Sequence, residues 1–159
     1  MDANILNQFI LSADQIFKQL GDFHLKKESL ERLQDCSKVK ARVATLLGLT
    51  GALKGQVILT MEEPLAMKLA SAILMGIEVT EYNEMAESGV CEMVNMIAGE
   101  ASRRLHELGY PCDLSVPSII RGDQLEIGMQ PRIPIFLIRF ATEYGPVQML
   151  LGLEVMKPR

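Results

Sequence analysis

Ser88, Glu92 and Asn95 have the side-chain types and the spacing to act together on a ligand or a partner. They lie in ESGVCEMVNMIAGEASRRLHELG, residues 87 to 109, whose apolar positions recur with a helical period. Successive residues of an α-helix are rotated by about 100°. With Ser88 at zero, Glu92 falls at about 40° and Asn95 at about −20°, so the three share one narrow stripe. Val90, Met93, Val94, Ile97, Ala101, Leu105 and Leu108 fall on the opposite side, which predicts a buried face there. The expected helix is packed down along one side and offers a carboxylate and a carboxamide outward, one turn apart. Gly99, one turn beyond Asn95, has no side chain and leaves room for something large to approach. Met85 and Met96 flank the stripe, and adaptable methionine suits a binding surface, although a packing role explains them equally well. A solvated helix face accounts for Glu92 as readily as function does. Asn95 is harder to place there, because asparagine is a poor helix former away from the ends, and such local misfits lean towards function.

Other sources of chemistry are sparse. The chain has no phosphate loop of the G-x-x-x-x-G-K type, no H-E-x-x-H and no G-x-S-x-G elbow. His24 and His106 are far apart and lack ligand-spaced cysteines or carboxylates, so both read as surface residues and no metal or cofactor site is expected. The three cysteines, Cys36, Cys91 and Cys112, are odd in number and lack C-x-x-C spacing, which points to a reducing, cytoplasmic setting. Cys91 falls near the core face, where a free cysteine acts as a small hydrophobe. The net charge of −4, with both signs mixed, gives no basic footprint for nucleic acid, so any partner must be recognised locally. MDANILNQFILSADQ lacks the basic start of a signal peptide, and no apolar run is long enough to span a bilayer. At 159 residues the expectation is one domain, 1–159.

The elements that must hold the stripe follow from pattern. Residues 3 to 20 are helical, with Leu6, Phe9, Ile10, Ala13, Phe17 and Leu20 on one face and Gly21 beyond the end. Residues 23 to 34 read as an extended, polar edge strand, since Phe23 and Leu25 alternate with polar residues. Residues 43 to 61 read as a hairpin connected through Gly48, Gly51 and Gly55. Thr60 and Glu63 have capping-box spacing and Pro64 suits the first turn of a helix running towards Gly76. Thr80 is the expected cap of the long helix. After Pro111, DLSVPSII, QLEIGMQ, IPIFLIRFA and PVQMLLGLEVM read as strands, separated by turns at Arg121–Asp123, Gln130–Arg132 and Glu143–Pro146. The last two are apolar at nearly every position and should be covered on both faces or lie at an interface. The order α β β β α α β β β β specifies an α/β or α+β domain. Aligning Leu20-Gly21 with Leu108-Gly109 superposes Leu6 on Val94, Phe9 on Ile97, Ala13 on Ala101 and Phe17 on Leu105, a faint internal repeat of helix plus strands. It also sets Asn7 on Asn95 and Asn4 on Glu92.

The pattern Ser88-x-x-x-Glu92-x-x-Asn95, followed by Pro117, resembles the signature of the CheX/CheC/FliY chemotaxis phosphatases. EMVNMIAGEA, LGY, LSVPSII and GLTGALKGQVILTM are similar to CheX in particular, over essentially the whole chain. One intact motif, with Asn4 where a second Glu would stand, is the CheX arrangement. The resemblance implies a CheX/CheC-like β-sheet covered by long helices. It also implies a phosphatase acting on the aspartyl phosphate of a CheY-type response regulator. In that reading Asn95 orients the attacking water, Glu92 pairs with the regulator's lysine, and Ser88, Met96 and Gly99 contact the partner. Mg²⁺ is then expected on the regulator, and this chain needs no cofactor of its own. A homodimer is implied as well, with residues 23–34 or 146–156 as candidate sheet edges. The alternatives are a non-catalytic adaptor of the same fold using the same face, and a small-ligand domain, for which the sequence announces no pocket.

Overall fold

The computed structural model describes residues 2–21, 23–34, 38–129 and 132–156. Three helices, α1 (Ala3–Gln19), α2 (Glu63–Ile73) and α3 (Glu84–Glu107), accompany seven strands. The strands are β1 (Lys26–Arg32), β2 (Val39–Gly51), β3 (Leu53–Met61), β4 (Cys112–Leu114), β5 (Ser118–Ile127), β6 (Ile135–Ala141) and β7 (Val147–Val155). The order along the chain is the one the periodicities specify, and the class is α+β because every strand pair is antiparallel.

The sheet order is β1-β6-β7-β3-β2-β4, with β5 also on β2. Read from its centre outward, this order is symmetric. β3 and β7 pair in the middle with Val57 opposite Leu151, β2 and β6 flank them, β1 closes one end, and β4 and β5 share the outer edge of β2 at the other. The unit α1-β1-β2-β3 is thus echoed by α3-β5-β6-β7, as the faint sequence repeat suggests. The first strand of each unit pairs with the second strand of the other.

Helices cover one face of the sheet. Ile5, Leu6, Phe9, Ala13 and Phe17 of α1 meet Leu65 and Leu69 of α2, the apolar side of α3, and inward residues of β2, β3, β6 and β7. Truncating a side chain as deeply buried as Phe9 to alanine costs about 3–5 kcal/mol. The other face holds a smaller core of Val39, Ile58, Ile135, Leu137 and Leu150. β6 and β7 are therefore covered on both sides, which explains their nearly unbroken apolar sequence.

Several local expectations are corrected. Thr60 does not cap α2. It is a buried residue of β3 whose hydroxyl donates to Gln148 Oε1 at 3.1 Å, while Glu62 occupies the cap position without a side-chain bond. Thr80 does not cap α3; Asn83 does, three residues later. Arg121–Asp123 is not a turn. β5 runs through it, and its two extra residues are absorbed as a bulge between the Ala41–Leu125 and Val43–Arg121 pairs with β2. DLSVPSII instead divides into β4 and the start of β5. The β2–β3 turn uses Gly51, and Gly48 and Gly55 lie within the strands. Gly55 has φ +150° and a Cβ there would sit 1.9 Å from the Gly152 carbonyl oxygen, so only glycine fits. Within 23–34, Lys26–Arg32 does form an edge strand, but within 146–156 Val147–Val155 forms central β7, whose hydrogen bonds are taken on both sides. Gln130, Pro131 and Cys36, on which a turn and a cysteine reading depend, lie outside the described residues. No helix among the described residues is long and apolar enough to cross a membrane.

Candidate functional site

Helix α3 begins where Asn83 Oδ1 accepts hydrogen bonds from the backbone of Met85 (3.0 Å) and Ala86 (3.2 Å). Glu84 and Glu87 in the first turn and Arg104 and His106 in the last complement the helix dipole. Val90, Met93, Val94, Ile97, Ala101 and Leu105 are buried, as the rotation predicts. Leu108 is the exception: it lies past the last helical residue and is exposed. Gly89 seats α3 on α2, for a Cβ there would lie 2.6 Å from both Cα and Cβ of Ala70. Towards α1, Arg104 Nη2 donates to Gln15 Oε1 at 2.6 Å. Towards the sheet, Ser102 Oγ donates to the Cys112 carbonyl at 3.1 Å. The helix is thus fixed on three sides and open on the fourth.

Ser88, Glu92, Asn95 and Gly99 all lie on that open side and all are exposed. A Cβ at Gly99 would meet nothing within 4 Å, so the space over Gly99, one turn beyond Asn95, is open. Met96 is half-buried against the core, and Met85 is exposed. The structure therefore brings the residues singled out from sequence onto one face, with Met96 as its partly packed shoulder.

The electrostatics separate two carboxylates of the same helix. Glu100 is engaged by Arg103 Nη2 at 2.6 Å and by Arg104 Nε at 3.0 Å. The hydrogen bond from Arg103 is the main cause holding its carboxyl below the usual carboxylate range. Glu92 and Asn95, by contrast, make no side-chain hydrogen bond or ion pair with the described residues. A carboxylate and a carboxamide without partners, one turn apart on a rigid helix, can accept from and pair with groups brought by another molecule.

Sequence reasoning missed the cluster beside the start of α3. Arg121 lies over the Tyr82 ring at 4.6 Å and its Nε donates to Glu63 Oε1 at 2.7 Å, joining β5, the approach to α3 and the start of α2. Burial, then the nearby Glu87 carboxylate, pushes the Tyr82 phenol up to about 12. Burial, then the Glu87 carboxylate, also raises the half-buried Cys91 thiol. Arg121 was hidden because its turn-like neighbours, Gly122 and Asp123, belong to a bulged strand. Pro117 is half-buried at the entry to β5.

The family model described as "Chemotaxis phosphatase CheX" matches residues 43–141. The chain is 28% identical over 138 residues to the CheY-P phosphatase CheX of Thermotoga maritima, covering 85% of this chain and 88% of that protein. The crystal structure of chemotaxis protein CheX from Vibrio vulnificus superposes with a TM-score of 0.87 at 25% identity, over 96% of this chain and 100% of that one. CheX in the CheX–CheY–BeF3–Mg²⁺ complex from Borrelia burgdorferi has the same fold, with a TM-score of 0.76 at 18% identity, over 94% of this chain and 97% of that one.

Proposed function

We propose, from the premise that this chain belongs to the CheX family of chemotaxis phosphatases, that it accelerates hydrolysis of the aspartyl phosphate on a CheY-type response regulator. The observation that carries this reading is the unpartnered Glu92 and Asn95 pair on the open side of α3. Phosphoryl transfer asks little covalent chemistry of a catalyst; it asks for an in-line nucleophile and stabilised charge. Asn95 enters the regulator's site, where its amide oxygen accepts a hydrogen bond from the attacking water. Holding that water in line removes orientational entropy from the barrier. Glu92 pairs with the lysine beside the phosphoryl group and sets the register of the helix through a charge-assisted bond. Mg²⁺ held by the regulator supplies charge neutralisation at the phosphoryl oxygens. Gly99 gives the regulator's loops room to approach, and Met96 and Ser88 line the contact.

The test mixes this protein with the phosphorylated regulator and Mg²⁺ in a cytoplasm-like buffer and follows phosphate release. Acceleration over spontaneous decay is expected, and unchanged decay would sink the enzymatic reading. An adaptor would keep its binding after Asn95→Ala and show no rate to lose. A homodimer, if formed through sheet edges, uses β1 or β5, since β7 is enclosed.

A further inference from the structure

We propose that Val116 is a specificity-determining contact, an apolar prop beside Asn95 that packs against the regulator next to its phosphoryl site. The inference rests on the regulator reading above. Two anchors set where Val116 lies. Ser102 of α3 bonds Cys112 of β4, and Tyr82, just before α3, lies under Arg121 of β5. Helix and strand therefore run in opposite directions side by side. Between the anchors the helix side spans about 30 Å at 1.5 Å per residue, and the strand side spans about 30 Å at 3.3 Å per residue. Asn95 is about 10 Å along the helix from Ser102, which brings it level with Ser115 and Val116. Ser102 is at about −40° and Cys91 at about −60° in the helix rotation, so this segment borders the Asn95 side of the stripe.

Val116 is held out from the surface. It is 86% exposed. The Ser115 N–H donates to the Gly48 carbonyl at 2.9 Å, and the Gly48 N–H donates to Ser115 Oγ at 2.8 Å, so the preceding residue is tied to β2 twice. Pro117 restricts Val116 itself to extended backbone. A valine presented in this way loses little conformational freedom when a partner covers it. Its place at the margin of the unpartnered Glu92 and Asn95 pair makes it continuous with the docking face rather than an isolated apolar residue. The regulator must then offer an apolar depression beside its phosphorylated aspartate.

The experiment measures phosphate release against regulator concentration for the wild-type chain, Val116→Ala and Val116→Asp. It also measures binding of each to the regulator loaded with beryllofluoride. KM should rise, about fivefold for alanine and ~10-fold or more for aspartate, with kcat nearly unchanged and binding weakened in parallel. Melting midpoints should match the wild type, since the side chain packs on nothing. Unchanged KM and binding in both variants, or a loss confined to kcat, overturns the proposal. A wild-type chain that binds the loaded regulator without accelerating release overturns the phosphatase reading instead, and the binding series still decides the role of Val116.

Discussion

Helices α1 and α3 each precede three strands that echo one another, with short β4 added after α3; they lie on the same sheet face and bury apolar residues at matching spacing. On α1, Asn4 and Asn7 are exposed at the positions that correspond to Glu92 and Asn95. The settings differ. α1 has 17 residues and Asn4 is in its first turn, where its backbone N–H donates to the Asp2 cap. α3 has 24 residues, and its extra length lies ahead of the polar pair and packs on α2 through Gly89. Glu92 and Asn95 thereby stand well inside the helix, away from the fraying ends. In the proposed reading, what sets the α3 stripe apart from its α1 counterpart is depth within a braced helix and the added carboxylate, not the amide alone.

The strongest way to break this comparison is Asn95→Ala, which should lower kcat by ~10²-fold while leaving binding of a beryllofluoride-loaded regulator intact. Full activity in that variant would move the chemistry elsewhere, with the Asn7 face the next place to look. Glu92→Ala should raise KM by about 10- to 100-fold, the worth of a charge-assisted bond, and the loss should shrink at high salt. Gly89→Ala tests the bracing. Overlap with the Ala70 backbone should destabilise the fold by about 1–3 kcal/mol in a denaturant titration. A gain in stability there, as helix propensity alone would give, would mean that α2 yields without cost.

Glu100→Gln has a smaller effect with a defined sign. The folded-state pKa of Glu100 is lowered, so its contribution is present above the ordinary carboxylate value and is lost as pH falls through the lowered one. The stability deficit of the variant at neutral pH should therefore close on acidification, and a deficit independent of pH would contradict the ion pairing. Asn7→Ala should change neither rate nor stability, which sharpens the contrast between the two helices.

Much of this was legible in the sequence because it is local. The 3.6-residue period marks α1 and α3, and the unbroken apolar runs mark β6 and β7 as enclosed; β1 is inferred from Phe23 and Leu25, which lie just before it. The stripe of Ser88, Glu92 and Asn95 follows from rotation alone. Features that depend on distant partners were not legible. Thr60 resembles a cap until Gln148, 88 residues away, takes its hydroxyl. Thr80 gives way to Asn83, for the chain first packs Val79 under α2 and Tyr82 under Arg121. Arg121-Gly122-Asp123 has turn composition, yet pairing with β2 keeps it extended. The place proposed for Val116 beside Asn95 follows only from β4 and β5 being anchored back along α3.

The crossed pairing of the two units has a consequence for how the protein is made. β1 waits for β6, and β3 waits for β7, so the strands made first have no finished sheet to join. The first half emerges with α1 and the β2–β3 hairpin exposing apolar surface, and closure comes only when β7 has been synthesised. Such long-range pairing slows folding and lengthens exposure to aggregation. Translation speed through residues 62–146 therefore sets how long the nascent chain stays vulnerable.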